Sequence, residues 1–322
     1  MALIRPNARD GFNIGANFAC EADVFWNYGY LCGKEKIWEL IINHKIMLRN
    51  FLFSVLIACS AGIVCAQTPQ DSIEIVNAKW TVTQLDNGAI AKSAKFNNLY
   101  ESHQSVFVVE IDPNRYDLVV KTHEGRELTT DKAKEDKAVA AINGTYFGKN
   151  GRSVCYVARD GKVDDYTTSG ITLLSDGAVV VEGNDKNQVE IMPWVVSTES
   201  EYDVAHKSVM VSGPLMVSQG KECDFTDCKV AHIPYRNPRS AVALMRDGKI
   251  VLVVVDGRRK DVSDGVTIPQ FAHMMRILGA KDALNLDGGG SSVIWNEKEG
   301  IMNTPSDGHE RTVSNSILVI KK

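Results

Sequence analysis

Residues 240–257 read SAVALMRDGKIVLVVVDG, two apolar segments on either side of Asp247-Gly248. Asp-Gly suits the type I′ turn, because both central residues of that turn need a positive φ. The stretch therefore predicts a β-hairpin that joins residues 240–246 to residues 249–255. Every residue from Ile250 to Val255 is apolar, which predicts a strand that is buried on both faces.

Further strand signals lie on both sides of this hairpin. Apolar or alternating segments predict strands at Trp80–Leu85, Ser105–Ile111, Tyr116–Thr122 and Ile317–Ile320. Asp112-Pro113-Asn114 is turn chemistry, so Tyr116–Thr122 is expected to be the partner of Ser105–Ile111. Two more Asp-Gly pairs, Asp160-Gly161 and Asp176-Gly177, predict hairpins that join residues 155–159 to 162–166 and residues 171–175 to 178–182.

Helix signals are fewer. Thr267 is a suitable N-cap, Pro269 is tolerated in a first turn and Gly279 is a stop, so Thr267–Leu278 is predicted to be helical. A second helix is predicted at Thr130–Ala141. Strands dominate and no repeat or Pro-rich linker divides residues 80–322. The expected fold class is α+β, a single β-rich domain of mixed or antiparallel sheet with a few flanking helices.

The segment from Met47 resembles a secretory signal peptide, with Arg49, an apolar run from Phe51 to Val64 and a small residue before Gln67. That run is shorter than the roughly 20 residues that cross a bilayer, so no stable span is expected in the mature form. The expected organisation is an upstream leader from a misplaced start (1–46), a signal peptide (47–66), a flexible leader (67–79) and the domain (80–322). The product is expected to be exported, periplasmic or secreted. Two alternatives stay open: lipidation at Cys59, and a genuine cytoplasmic extension before a signal anchor.

Composition narrows the class of partner. The 322 residues carry 36 Lys+Arg and 40 Asp+Glu, a net charge of -4, without a block of basic residues. Nucleic acid needs a concentrated basic face and is therefore excluded as the main partner. In an exported chain, Cys223 and Cys228 are candidates for a disulfide, with Cys155 buried and free.

Three segments combine glycine with polar residues at the ends of predicted strands. Residues 284–295, LNLDGGGSSVIW, place Asp287 before three glycines, which either form an anion-binding nest or a plain glycine-rich turn. Residues 140–148, AAINGTYFG, place an amide beside a glycine and aromatic residues. Arg239 leads into the central hairpin, which ends at Asp256, and Arg311 and Asn315 precede the last strand.

Together, AINGTYF, SGPLMV, NPRSAVAL, VVDGR, TIPQFAHMMRILGAKDALNLDGGGSS and RTVSNSILVI resemble the phosphodiester glycosidase domain family over Ala140–Ile320. The resemblance implies hydrolysis of the anomeric bond of a sugar 1-phosphodiester, such as an N-acetylglucosamine-1-phosphodiester, which releases free sugar and a phosphomonoester. One departure is Thr145-Tyr146, where relatives often carry smaller or different residues. The implied site consists of Asn143, Gly144, Phe147, Arg239, Asp256, Asp287, Gly288, Gly289, Gly290, Ser291, Ser292, Arg311 and Asn315.

In this hypothesis Asp287 and Asp256 supply the catalytic carboxylates, since glycosidases usually use two. Arg239 and Arg311, with the amides of Gly288–Gly290, hold the phosphate, and Asn143 and Phe147 place the sugar. Two alternatives stay open: a non-catalytic carbohydrate-binding protein of the cell envelope, and a metal-dependent phosphodiesterase. The partner is a small-molecule or glycan phosphodiester. No cofactor is required by the sequence, and a divalent cation, the sugar and the oligomeric state stay open.

Overall fold

In the computed structural model, which describes residues 67–171, 174–183, 188–226 and 232–322, the central hairpin forms as predicted. Arg239–Met245 pairs antiparallel with Ile250–Val255, and every residue of the second strand is buried. Within Asp247-Gly248 only the glycine has a positive φ, of 86°. The turn is therefore not the expected type I′, which needs a positive φ at both positions. At Asp160-Gly161 both φ angles are positive, 48° and 84°.

The helices of the described residues are α1 (Pro69–Val76), α2 (Thr129–Glu135) and α3 (Ile268–Ile277), with short 3-10 helices at Val196–Glu201 and Gly289–Ser291. The strands of this part of the chain are β1 (Thr81–Asp86), β2 (Ala89–Leu99), β3 (Ser102–Ile111), β4 (Tyr116–Glu127), β5 (Ala140–Asn143), β6 (Val157–Arg159), β7 (Lys162–Asp165), β8 (Gly177–Glu182), β9 (Val189–Pro193), β10 (Lys207–Ser212), β11 (Leu215–Ser218), β12 (Lys221–Glu222), β13 (Arg239–Met245), β14 (Ile250–Val255), β15 (Ala280–Asn285), β16 (Ile294–Asn296), β17 (Gly300–Ile301) and β18 (Val313–Lys321). The β-rich α+β class is confirmed.

These strands form three antiparallel sheets. The large sheet has the order β1-β2-β3-β14-β13-β15-β11-β12, and the two smaller sheets have the orders β7-β6-β10-β8-β9 and β17-β16-β5-β18-β4. One apolar cluster joins all three, with Leu252 from the large sheet, Met210 from the first small sheet and Ile142 from the second. The shared core fixes the ends of strands from different sheets relative to one another.

The outer face of the large sheet is covered by α3, which explains why β14 is apolar at every position. Val251, Val253 and Val255 pack with Phe271 of this helix, while the alternate residues face the shared core. Helix α3 begins as predicted. Thr267 caps it and forms a capping box with Gln270, each side chain bonding the backbone amide of the other residue.

The segment 67–79 was expected to be a flexible leader, but most of it forms helix α1. Thr68 and Asp71 form a capping box at its start, and Ile75 is 2% exposed against the cluster that contains α3. Ser72 and Tyr100 bond the two ring nitrogens of His273 over 2.9 and 2.8 Å. A short amphipathic helix is too weak alone, and its docking on α3 supplies the stability that the local sequence does not reveal.

Three further expectations are corrected, each through long-range pairing. Strand β4 pairs with β18 in a small sheet, so it is not the partner of β3, which lies between β2 and β14. Gly177 begins β8, whose neighbours are β9 and β10, so Asp176-Gly177 is not a hairpin turn. Helix α2 ends at Glu135, because residues 140–143 pair with β18 as strand β5.

Some expectations fall outside the described residues. The leader at 1–46 and the signal peptide at 47–66 lie there, and so does Cys228, the predicted disulfide partner of Cys223. Cys155 is free and fully buried, as predicted. Among the described residues, no helix has the length and apolar character that a membrane crossing requires.

The directions of the strands bring the polar segments together where β13 starts and where β14 and β15 end. Arg239 at the start of β13 pairs with Val255 at the end of β14, and Ala241 pairs with Asn285 at the end of β15. Antiparallel neighbours place the start of one strand beside the end of the next. From a small sheet, β5 ends at the same place, since Gly144 accepts a hydrogen bond from the amide of Asp287 over 3.0 Å.

Candidate active site

A cavity of about 270 Å³ opens where these strand ends meet. Its wall combines one carboxylate, three guanidinium groups, one imidazole and one phenol ring with a glycine-rich backbone. The lining residues are Tyr146, His232, Asn237, Arg239, Arg258, Asp287, Gly288, Gly289, Gly290 and Arg311. Six of these ten positions, namely Arg239, Asp287, the three glycines and Arg311, belong to the site that the sequence predicts.

Asp287 is the carboxylate of the wall. It follows β15 by two residues and is half-buried. Burial raises the pKa of its carboxyl group to about 6, against the lowering effects of a hydrogen bond from Ser291 and the positive charge of Arg311. The group therefore changes charge close to neutral pH, the range in which proton transfer and charge stabilisation by a carboxylate are tuned in active sites.

Asn143 holds Asp287 in place and does not line the cavity. Its Nδ2 donates to the carbonyl oxygen of Asp287 over 2.7 Å, and its Oδ1 accepts from Ser240 Oγ over 2.8 Å and from the amide of Val293 over 3.1 Å. The side chain is fully buried. The structure therefore assigns Asn143 to the support of the site, and its predicted contact with the sugar is corrected.

Gly144 and Asn315 are in close contact with each other behind Asp287. A Cβ on Gly144 would lie 2.0 Å from Oδ1 of Asn315, so only glycine fits at this position. The same Oδ1 accepts from the amide of Thr145 over 2.7 Å. Both residues thus connect β5 to β18 beneath the cavity and do not form its wall.

Arg239 is the most buried of the cavity's arginines, 3% exposed. Its Nε donates to the carbonyl of Val266 over 3.0 Å, and its Nη2 donates to the carbonyls of His232 and Tyr235 over 2.7 and 2.8 Å. Burial lowers the pKa of the guanidinium group to about 10, so it remains cationic at neutral pH. These bonds use Nε and Nη2, so within the described residues the protons on Nη1 have no acceptor and are left for a ligand.

Arg258 and Arg311 complete the cationic wall. Arg258 donates from Nε and Nη2 to Asn237 Oδ1 over 3.2 and 3.0 Å. Arg311 donates from Nε and Nη2 to Asp307 Oδ2 over 2.9 and 2.5 Å. Guanidinium groups bind phosphate oxygens through paired, charge-assisted hydrogen bonds. Three guanidinium groups around a cavity of about 270 Å³ therefore favour a phosphate-containing ligand.

The three glycines serve close packing more than anion binding. The amide of Gly289 donates to Pro238 O over 2.9 Å, and the amide of Gly288 bonds the carboxyl group of Asp287. A Cβ on Gly288 would lie 2.7 Å from Pro238 O, and one on Gly290 would lie 2.1 Å from Nη2 of Arg311. The predicted nest of amides for the phosphate is thus corrected, because two of its donors are bonded within the protein.

Substituting Gly290 by alanine tests this packing. The new Cβ meets the flexible ends of Arg311 and Asp307, so we expect the ion pair to move while the fold persists. One displaced charged hydrogen bond costs about 1.5–3 kcal/mol, which predicts an approximately 10–100-fold higher KM for a phosphate-containing substrate. Gly148→Ala is the matched control, because its Cβ also meets a side-chain oxygen, of Asn150, away from the cavity. An unchanged KM in Gly290→Ala would contradict the packing argument.

Asp256 does not line the cavity, so its predicted role as a second catalytic carboxylate is corrected. It is 3% exposed, and both carboxyl oxygens accept hydrogen bonds from the amide of Thr304 over 3.1 Å. Asn303 Nδ2 also donates to Oδ1 over 3.2 Å. Burial raises the pKa of this carboxyl group, and these bonds oppose the rise. Asp256 braces residues 303–304 against the end of β14.

Ser291 and Ser292 lie one layer behind the wall. The Oγ of Ser291 accepts a hydrogen bond from Nη1 of Arg311 over 3.4 Å, and Ser291 also bonds the carboxyl group of Asp287. Ser292 is buried, and its carbonyl accepts from Nδ2 of Asn303 over 3.1 Å. Ser291 thus connects Asp287 with Arg311, whereas Ser292 supports the turn.

The aromatic residue of the cavity is Tyr146 and not the predicted Phe147. Phe147 lies 6.0 Å from the guanidinium carbon of Arg126 and is absent from the wall. The hydroxyl of Tyr146 donates to Gly213 O over 2.8 Å and accepts from Asn285 Nδ2 over 3.0 Å. Both aromatics stand in the same motif, so only the direction of each side chain after β5 decides between them.

Sequence reasoning also missed His232, Asn237 and Arg258. Asn237 and Arg258 lie in segments that the sequence singles out, NPRSA and VVDGR, and their place beside strand ends was an available signal. His232 has no motif around it. Within the part of the chain that the structure describes, no three His, Cys, Asp or Glu side chains form a group that could hold a metal ion.

Comparison with known proteins agrees with the sequence resemblance. The family described as phosphodiester glycosidase matches residues 136–320. The Bacillus subtilis (strain 168) SPbeta prophage-derived uncharacterized protein YomE is 29% identical over 201 residues, 60% of this chain. This chain spans only 30% of the length of that relative.

Solved structures share the fold. The catalytic domain of zebrafish N-acetylglucosamine-1-phosphodiester alpha-N-acetylglucosaminidase, auto-inhibited by its pro-peptide, matches with a TM-score of 0.59 and 19% identity over 76% of this chain and 88% of that one. A hypothetical protein from Synechocystis matches with a TM-score of 0.57 and 18% identity over 76% and 64%. A putative exported protein from Burkholderia pseudomallei K96243 gives 0.52 and 15% over 68% and 74%.

Proposed function

Because the chain belongs to the phosphodiester glycosidase family, we propose that it is a hydrolase that cleaves the anomeric carbon–oxygen bond of a sugar 1-phosphodiester. The observation that carries the proposal is the cavity in which Asp287 faces three arginines, Arg239, Arg258 and Arg311. A sugar 1-phosphodiester carries the matching groups, an anomeric carbon that becomes positive and a phosphate that leaves with negative charge. The zebrafish relative, named for an N-acetylglucosamine-1-phosphodiester, supports this substrate class.

In the proposed reaction the bond between the anomeric carbon and the phosphate oxygen breaks, and its electron pair leaves with the phosphate. Water forms the new bond to carbon and loses a proton, so the products are free sugar and a phosphomonoester. The arginines stabilise the leaving charge, which replaces the acid that an alcohol leaving group would need. Ionised Asp287 stabilises the oxocarbenium-like carbon.

The pH dependence follows from the ionised form of Asp287. Its pKa is raised to about 6, so the active carboxylate is present above that pH and is lost as the pH falls below it. We expect kcat/KM to be level above pH 7 and to fall about tenfold per pH unit below pH 6 through Asp287 alone, since kcat/KM reports groups of the free enzyme. Initial rates between pH 4 and pH 8 measure this. Activity that rises toward pH 4 would assign Asp287 the role of a proton donor instead.

A direct assay separates the proposal from its two alternatives. Purified protein is incubated with a sugar 1-phosphodiester, and free sugar, phosphomonoester and sugar 1-phosphate are quantified. Free sugar with phosphomonoester is the expected result, unaffected by chelator. Binding without products would favour a carbohydrate-binding protein. Sugar 1-phosphate that disappears in chelator would favour a metal-dependent phosphodiesterase.

The same proposal includes export of the protein. The support is the signal-peptide pattern from Met47, together with a structural relative that is named as a putative exported protein. N-terminal sequencing of protein from a cell that secretes it should find Gln67 as the first residue. A mature chain that begins at Cys59 and carries lipid would contradict cleavage before Gln67 and would indicate a membrane-anchored form.

A further inference from the structure

His232 is a titratable group of the cavity wall that has no role in the proposed reaction. It lies in the wall with its ring centroid 6.4 Å from that of Tyr146. Its Nε2 is screened from solvent and has no hydrogen-bond partner among the described residues. A buried ring nitrogen without a partner calls for a ligand, a water or a chemical role.

The backbone of His232 is held firmly while its ring is free. Its carbonyl accepts a hydrogen bond from Nη2 of Arg239 over 2.7 Å, so the residue is tied to the most buried arginine of the site. Its ring, by contrast, makes no hydrogen bond to the rest of the described chain. Because Nε2 is screened from solvent, Nδ1 is the ring nitrogen that is left for a partner in the cavity.

Burial and the neighbouring charge of Arg239 favour the neutral form of the His232 ring. Burial is the main cause that lowers the pKa of His232, and the positive charge of Arg239 adds to it. Arg258, Arg311 and Asp287 also line the wall. A neutral imidazole has a free lone pair and can accept a proton, whereas an imidazolium ion cannot.

We propose that His232 is a second catalytic residue, the general base that takes the proton of the attacking water. The inference rests on the proposed function and adds the group that this reaction lacks. Asp287 is the carboxylate of the described cavity wall, and it is engaged with the positive charge at the anomeric carbon. His232 therefore fills the role that a second carboxylate has in most glycosidases.

The proton balance of the step is complete. As the water oxygen bonds to the anomeric carbon, one of its protons passes to Nδ1 of His232, and the carbon–oxygen bond to phosphate breaks with its electrons going to phosphate. The phosphate charge then neutralises the nearby arginines and so stabilises the imidazolium ion that has formed. The imidazolium releases its proton to the phosphomonoester or to water, and the ring returns to its neutral state.

The test uses His232→Ala and His232→Gln with His309→Ala as control, since His309 is exposed and outside the cavity. We expect both His232 variants to lose about 10²-fold or more in kcat, the usual contribution of a general base. Added imidazole should restore turnover of His232→Ala, in proportion to its neutral fraction, and leave His232→Gln and the control unchanged. Glutamine fills the site with a polar side chain but cannot accept the proton.

The outcomes separate this inference from the proposed function. If the wild-type protein releases no sugar from any 1-phosphodiester, the proposed function fails. If the wild-type is active and His232→Ala keeps kcat within threefold, His232 is not the base. A large loss that imidazole does not restore, or that glutamine repairs, would assign His232 a structural role and overturn the inference as well.

Discussion

Replacing Asp287 by asparagine is expected to lower kcat about 10³-fold for a sugar 1-phosphodiester, the scale at which one charge-stabilising or proton-transfer group contributes. Asparagine keeps the size and polarity of the side chain but has no negative charge for the anomeric carbon. The fold should persist, because the bonds that place residue 287 come from its backbone amide and carbonyl. Steady-state release of free sugar and thermal unfolding of the same sample measure both effects.

Asp282→Asn is the matched control for this substitution. Asp282 lies on β15, the strand that leads to Asp287, and it is also buried. Its Oδ1 accepts a hydrogen bond from the amide of Gln219, at a distance along the chain from Asp287. It should keep wild-type turnover. A loss of less than tenfold in Asp287→Asn would remove Asp287 from its proposed role. Equal losses in both variants would point to general damage to the strand.

Replacing Asn143 by alanine is expected to lower the free energy of unfolding by about 3 kcal/mol or more, since an unsatisfied buried polar group costs about 1–3 kcal/mol. The substitution leaves the hydroxyl of Ser240, the amide of Val293 and the carbonyl of Asp287 without this partner. Turnover should also fall, because the carbonyl bond helps to hold Asp287. Denaturant unfolding and sugar release measure the two effects.

Asn97→Ala serves as the control, since Asn97 lies exposed on β2 and should change the free energy of unfolding by less than about 0.5 kcal/mol. If Asn143→Ala unfolds like the wild-type, its three hydrogen bonds do not support the site. If Asn143→Ala has wild-type stability and only its KM is higher, the result would support the direct contact between Asn143 and the sugar that the sequence predicts.

Local patterns predicted those elements whose stabilising contacts are close in the sequence. The hairpin of residues 239–255 has its turn and both strands within one segment, so its pairing follows from the sequence. Helix α3 likewise has its cap at Thr267 and its stop at Gly279 next to its ends. In both cases the deciding hydrogen bonds connect near neighbours along the chain.

Patterns failed where a distant segment decides the structure. Tyr116–Glu127 follows β3 closely, yet it pairs with the last strand of the chain. Ala140 and Ala141 end the predicted helix, yet they begin a strand between β16 and β18. Local preference is too small to resist the burial and hydrogen bonding that such pairings offer.

The candidate site shows the same division. Asp287, the three glycines that follow it and the arginines at positions 239 and 311 were recognisable, and all of them line the cavity. The separation of lining residues from supporting ones was not. Asn143 and Asp256 are polar residues at strand ends like Asp287, but their side chains are bonded to backbone groups of the protein.

By itself, the sequence determined the family, the β-rich α+β class, the central hairpin and the residue types of the site, because each depends on short motifs and local patterning. The tertiary structure alone decided which of those side chains face the cavity. It placed Tyr146 in the wall instead of Phe147 and brought in His232 and Arg258. The direction of a side chain depends on which distant strand forms hydrogen bonds with its backbone. These directions are fixed only when the three sheets pack on their shared core.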